Sequence, residues 1–348
     1  VSEAELRQWL DELIAGESSV VAPVAEEEGL LLYGEIGAAA DAVLEPSGKT
    51  RWSPKEFLFP RTETLYRYRF GGAMVQLDDP EPLDRDQILV GVRPCDAAGV
   101  ARLDETFLTR QVDPMYQQKR DRTTVVSAAC AAADPECFCT AVGGSPVGED
   151  GSDIQLVPMD DGWLVRTVSE RGEELVRSSS AGWTHSTDEQ LDQVRRMAAR
   201  VGEQISISPV LREWSAVLEE GFEHPVWNEV AQKCLGCSAC AYVCPSCTCF
   251  DMNQQGTAWG GEQTRSWDAC TFDLFTKHAS GHNPRQHLGQ RYRQRVLHKF
   301  AYLDSPDQDF RCVGCGRCIA LCPSGMDIVD VVKQAVETVQ GGGDGAAR

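Results

Sequence analysis

Two segments of the chain carry cysteine in the same order. Cys234-Leu-Gly-Cys-Ser-Ala-Cys-Ala-Tyr-Val-Cys-Pro-Ser is followed, at an offset of 78 residues, by Cys312-Val-Gly-Cys-Gly-Arg-Cys-Ile-Ala-Leu-Cys-Pro-Ser. Each is a C-x2-C-x2-C-x3-C-P run, the spacing of bacterial two-cluster iron–sulfur proteins. Three cysteines two residues apart wrap a tight loop around one cubane, so side chains reach its corners while backbone N–H groups point at the sulfides. The fourth cysteine starts the next helical turn, projects the other way and reaches the second cubane. The spacing therefore predicts two [4Fe–4S] clusters with crossed ligands. Cys234, Cys237, Cys240 and Cys322 take one; Cys312, Cys315, Cys318 and Cys244 take the other. Pro245 and Pro323 fix φ just after the fourth ligand. Zinc is the rival ion, but zinc ribbons need only isolated CxxC pairs, without the third cysteine or the Cys-Pro.

Seven cysteines remain of fifteen. Cys95 follows the apolar run QILVGV, and Cys130, Cys137 and Cys139 follow TTVVSA. If those runs are adjacent parallel strands, the four thiols meet at the carboxyl edge of a sheet, where open α/β sheets bind ligands. They suit a third [4Fe–4S] cluster, or a zinc ion, which fits the count equally well. Cys247, Cys249 and Cys270 lie between the two runs. Three thiolates and one other ligand would make a partial fourth site; buried thiols beside the cluster domain are the alternative.

The elements that must position these residues are legible in part. Ser2–Ala15 has helical periodicity and reads as an amphipathic helix, not as a signal peptide. Leu30–Tyr33, Gln87–Val92 and Thr123–Ala128 read as strands, with a helix over Ala97–Phe107 completing a βαβ unit. Ile154–Pro158 and Trp163–Thr167 flank an Asp-Asp-Gly turn and read as a hairpin. From Thr187 to about Leu218 the pattern is helical, with Leu191, Val194, Met197 and Val201 and later Leu211, Trp214 and Leu218 at helical spacing. The fold class is α+β: a mixed α/β domain over residues 1–221, a mainly helical dicluster domain over 222–340, and a disordered Gly/Ala-rich tail, 341–348.

Charge divides the chain at the same place. The net charge is −20, yet residues 225–340 hold eleven Lys/Arg and eleven Asp/Glu, so the acidity lies before them. So acidic a chain is a poor match for nucleic acid. No apolar run approaches the roughly 18 residues of a spanning helix, so no membrane partner is expected. Fifteen cysteines at metal-ligand spacing suit a reducing cytoplasm better than a disulfide framework. The stretch His282–Phe300 holds Arg285, Arg291, Arg293, Arg295 and Lys299. It reads either as a solvated helix face or as a basic surface that offsets the charge of clusters and thiolates or docks an acidic partner. No GxGxxG, P-loop, Ser-His-Asp signature or HExxH is present, so no catalytic residue and no nucleotide site is assigned.

Several segments carry a wider likeness: SPKEFLFPRTETLYRY (Ser53–Tyr68), GVRPCD (Gly91–Asp96), CFCT (Cys137–Thr140), CPSCTCF (Cys244–Phe250), SGHNPR (Ser280–Arg285) and HKFAY (His298–Tyr302). The chain resembles the beta subunit of cytoplasmic sulfhydrogenases, which are multisubunit NAD(P)-linked [NiFe] hydrogenases, and the related iron–sulfur subunit of anaerobic sulfite reductase. The resemblance implies an electron-relay subunit that is not catalytic alone. Its partners would be a flavin subunit binding the nicotinamide cofactor and the large and small NiFe hydrogenase subunits. The rival readings are the corresponding subunit of a sulfite or sulfur reductase, and a zinc-stabilised scaffold without redox function.

Overall fold

The structure, a computed structural model, describes residues 1–44, 48–72, 74–80, 83–207, 212–303 and 309–341. The strands are β1 (Ser19–Ala25), β2 (Leu31–Glu35), β3 (Thr62–Gly71), β4 (Met74–Asp78), β5 (Gln87–Val92), β6 (Thr123–Ala128), β7 (Ile154–Met159), β8 (Gly162–Thr167), β9 (Phe250–Thr257) and β10 (Gly260–Trp267). The helices are α1 (Glu3–Ala15), α2 (Pro94–Leu108), α3 (Pro114–Asp121), α4 (Glu170–Arg177), α5 (Asp188–Gln204), α6 (Trp214–Glu220), α7 (Val226–Val230), α8 (Ala239–Tyr242), α9 (Leu288–Phe300), α10 (Arg317–Ala320) and α11 (Ile328–Gly341).

Six strands form one sheet in the order β2-β1-β5-β6-β7-β8. The central pairings β1/β5, β5/β6 and β6/β7 are parallel, and the outer hairpins β1/β2 and β7/β8 are antiparallel. Every residue of β5 is buried, as a central strand covered on both faces requires. Its side chains alternate: Ile88 and Val90 pack with Leu6, Trp9 and Leu10 of α1, while Leu89 and Val92 pack with Ala97 of α2. The α1 start is set by Ser2, which caps the helix in a reciprocal box with Glu5. The strand read at Leu30–Tyr33 runs on through Gly34 to Glu35 as β2.

The second core joins α6, α7, α9 and α11 through Leu218, Trp227, Val296, Phe300 and Val332, and Phe138 from the Cys-Phe-Cys loop inserts into it. The fold is thus an N-terminal mixed α/β part followed by a mainly helical dicluster part. A four-stranded antiparallel sheet, β4-β3-β10-β9, ties the two together. It pairs a hairpin from before residue 221 with one from the insertion between the cysteine runs. At its base Trp267 stacks on Phe59, Phe59 packs on Phe107, and Phe107 on Tyr116. Beyond that base Phe70, Val75 and Leu77 are 47 %, 54 % and 64 % exposed, and Phe70 and Val75 are direct cross-strand partners, as are Tyr68 and Leu77. Leu211 and residues 342–348 of the expected tail lie outside the described residues, and Gly341 is the last residue of α11.

Candidate metal centres

The two cysteine runs adopt the same backbone course. Gly236 and Gly314 take φ +64° in both, and Ser238 and Gly316 take +61° and +74°. The left-handed turns curl each loop and favour glycine in both, and in the second run close contacts exclude any side chain as well. A Cβ on Gly314 would stand 2.4 Å from Cys139 Cα, and one on Gly316 would stand 2.2 Å from the Glu136 carbonyl oxygen. The second run is therefore pressed backbone to backbone against the Cys-Phe-Cys loop, and Phe138 N–H donates to the Gly314 carbonyl at 2.9 Å. The first run has no such neighbour and keeps Ser238, whose hydroxyl hydrogen-bonds Thr271 at 2.6 Å.

The thiols stand around cavities. Among the described residues, no three His, Cys, Asp or Glu side chains are gathered as the ligands of a single ion would be. A tetrahedral zinc would draw its thiolates to within about 4 Å of one another. One cavity is lined by Cys234, Cys237 and Cys240 together with Cys322 of the other run. A second is lined by Cys312, Cys315 and Cys318 together with Cys244. These are the two crossed sets read from the spacing. A third cavity gathers Cys95 at the start of α2, Cys130 just after β6, and Cys137 and Cys139 of the intervening loop. Cys318 lines both the first and second cavities, and Cys315 both the second and third. The three sites follow one another, from the exposed Cys237 to the buried Cys315 and on to the sheet edge.

The remaining thiols gather around the loop 244–249. Cys244 hydrogen-bonds Cys247, and Cys249 hydrogen-bonds Cys270. The β9–β10 hairpin returns the chain to its origin, with Asp268 N–H on the Cys249 carbonyl at 3.0 Å. Burial pushes the Cys139 and Cys312 thiols up to about 12. In Cys249 the hydrogen bond from Cys270 outweighs burial and brings the thiol down to about 6. Bound iron deprotonates a coordinating thiol outright, so buried thiols of this kind suit metal ligation.

Residues that spacing alone does not reveal supply charge and hydrogen bonds. Lys49 Nζ sits 3.6 Å from Cys137 Sγ, donates to the Cys315 carbonyl at 2.9 Å and pairs with Asp134 at 3.1 Å. Lys55, inside the Ser53–Tyr68 segment, donates to the Cys247 carbonyl at 3.0 Å and stacks over Trp267. Arg317, in the second run, grips the buried Asp96 of GVRPCD through two bonds of 2.6 and 2.7 Å. The serine of each Cys-Pro-Ser approaches the fourth cysteine, Ser246 at 3.6 Å from Cys244 Sγ and Ser324 at 3.4 Å from Cys322 Sγ. The repeat of Cys-Pro-Ser was the available signal for that pair.

In the basic stretch before residue 300, Arg293, Arg295 and Lys299 are buried and face the protein interior. Arg291, Arg295 and Lys299 lie on one side of α9 at four-residue intervals. Arg295 donates to Cys247 Sγ at 3.4 Å and to the Cys240 carbonyl at 3.0 Å. Lys299 donates to the Ser246 carbonyl at 3.1 Å. Burial works against the Lys299 charge, and the Cys244 and Cys247 sulfurs more than offset it, so its pKa is raised. Arg293 turns the other way and stacks 3.5 Å from the Phe222 ring centroid.

Comparison with known proteins agrees with this geometry. A family described as "4Fe-4S dicluster domain" matches residues 233–326. Over 292 residues the chain is 31 % identical to "Sulfhydrogenase 2 subunit beta" of Pyrococcus furiosus, covering 83 % of this chain and 84 % of that one. No solved structure matches. No helix among the described residues is long and apolar enough to cross a membrane. The dicluster match and the relative together make this an iron–sulfur electron-transfer subunit, and the chain belongs to the sulfhydrogenase beta-subunit family.

Proposed function

We infer that this chain is the cytoplasmic electron-relay subunit of an NAD(P)-linked [NiFe] hydrogenase complex. It works beside a flavin subunit that binds the nicotinamide cofactor and beside the NiFe hydrogenase subunits. The observation that carries the reading is the row of three thiol-lined cavities sharing Cys318 and Cys315 as walls. Cys234, Cys237, Cys240 and Cys322 hold one [4Fe–4S] cluster, and Cys312, Cys315, Cys318 and Cys244 the next. Cys95, Cys130, Cys137 and Cys139 hold a third. Bound clusters supply one-electron oxidation and reduction at potentials set by charge, hydrogen bonds and burial. The chain's own residues hold them, exclude water and set their surroundings: Lys49 lies between the second and third sites, and Arg295 between the first and second. The name of the Pyrococcus furiosus relative supports membership of a multisubunit assembly. So does the exposed apolar face of the β3–β4 hairpin, of a kind monomeric proteins rarely present.

The anaerobically purified chain is expected to be brown, with broad visible absorption that bleaches on reduction by dithionite. Alone it should oxidise neither hydrogen nor NAD(P)H and reduce no sulfite. A colourless protein containing zinc would overturn the reading. Replacing Cys130 by serine in the full chain should remove about four irons and leave the dicluster spectrum in place. Unchanged iron in that variant would reject the third site.

A further inference from the structure

Three cations are enclosed around the loop 244–249, from which Cys244 reaches the second cavity. Lys55, Arg295 and Lys299 are 3 %, 3 % and 2 % exposed. Their hydrogen bonds go to the Cys247, Cys240 and Ser246 carbonyls, the Ser246 hydroxyl and Cys247 Sγ, and among the described residues none of the three pairs with a carboxylate. A buried charge needs an opposite charge, and carbonyl oxygens do not supply one. Cys247, Cys249 and Cys270 frame none of the three cavities; Cys247 contacts Cys244, and Cys249 contacts Cys270. The anion that answers the cations is therefore the second cluster with its thiolates. Arg295 and Lys299 line its cavity beside Cys244, Cys312 and Cys318. Lys55 comes from a segment almost two hundred residues earlier and faces the Cys247 and Cys244 sulfurs. Burial draws its ammonium down to about 8, so most of it stays charged at neutral pH.

The neighbouring sites are balanced differently. In the first cavity Arg295 is the one lining cation among the described residues, and Cys237 there is exposed, so water weakens the effect of charge at that edge. Beside the third, Lys49 is matched by Asp134 and Arg317 by Asp96. Positive charge without a carboxylate is thus concentrated on the middle site. Burial by itself disfavours the extra negative charge of a reduced cluster. Here the same burial keeps water from between the cluster and three full positive charges, and in a low dielectric those attractions are strongest.

We propose that Lys55, Arg295 and Lys299 make the second cluster the electron well of the relay, the centre that takes the first electron and holds it most tightly. This rests on the iron–sulfur reading above. The three cations are positioning residues: they ligate no iron, and they favour the more negative, reduced form of the cluster that Cys244, Cys312, Cys315 and Cys318 hold. An electron arriving from the Cys237 end or from the sheet edge settles in the middle, and its departure is the uphill step.

The test is an EPR-monitored redox titration of the anaerobic full chain, with dithionite as the reductant, beside iron analysis. The signal lost in Cys244→Ser identifies the second cluster; should that variant fail to fold, Cys312→Ser identifies it. In the unmodified chain this signal should appear first, at the highest midpoint potential. Lys55→Gln removes the charge and keeps a donor for the Cys247 carbonyl. It should retain its iron, and the second cluster should move to a lower potential while the centre nearest Cys237 stays in place. Lys299→Gln should do the same. A chain without any iron–sulfur signal would be a failure of the iron–sulfur reading itself, not of the charge argument. A second cluster reduced after the others overturns the proposal, and so does an iron-complete lysine variant with its potentials unmoved. Should both lysine variants lose iron, the order of potentials in the unmodified chain decides.

Discussion

Serine at position 244 empties the site of the second cysteine run and spares that of the first. In sequence Cys244 belongs with Cys234, Cys237 and Cys240, and a loop-by-loop reading would give it to their cluster. In space it faces Cys312, Cys315 and Cys318, while Cys322 has crossed the other way. The crossing follows from local geometry, because the fourth cysteine of each run begins a helical turn and points away from its own loop. Paired substitutions measure it. Cys237→Ser and Cys244→Ser should each remove about four irons, and the double variant about eight, because the residues serve different clusters. A double variant that loses no more than either single one places both residues on the same cluster and contradicts the crossed arrangement.

Loss of the Asp96 carboxylate should destabilise the chain more than any surface change. Arg317 and Asp96 have side chains 1 % and 0 % exposed, and the guanidinium also donates to the Thr50 carbonyl at 2.9 Å and its hydroxyl at 3.1 Å. Removing one partner of such a pair leaves a buried charge uncompensated and costs about 3–5 kcal/mol. Asp96→Ala is therefore expected to lower the urea midpoint of the apo chain steeply. Asp78→Ala, which breaks the exposed Arg69–Asp78 pair, should cost at most about 1 kcal/mol. Similar shifts in the two variants would mean that the buried pair does not hold the second run against α2.

What could be read in advance, and what could not, follows from the range of the interactions. The cysteine runs are local and their spacing is the one a cubane imposes, so the exchange of the fourth cysteines between the two cavities was legible before any fold was known. Cys95 and Cys130 were legible because a βαβ unit places the ends of adjacent parallel strands together, and β5 and β6 are such a pair. The shared sheet was not. Thr62–Gly71 alternates Thr, Tyr and Phe with Glu, Leu and Arg, but its partner β10 lies almost two hundred residues downstream, so no local signal pairs them. Lys49 and Lys55 are single cations in loops, and nothing in their neighbourhood signals a thiol. Arg295 and Lys299 looked like solvated residues on a basic helix; they are buried because the thiol cluster, itself assembled from distant segments, lies opposite them.

The central claim is that this chain carries electrons between other subunits and has no substrate of its own. Stopped-flow absorbance of the assembled complex tests it most directly. On mixing with hydrogen or NAD(P)H, the iron–sulfur absorption of this subunit should bleach within the turnover time of the complex. The same chain purified alone should stay oxidised with either reductant. Clusters that remain oxidised while the complex turns over, or that are reduced by the nucleotide in the isolated chain without a flavin subunit, would contradict the account.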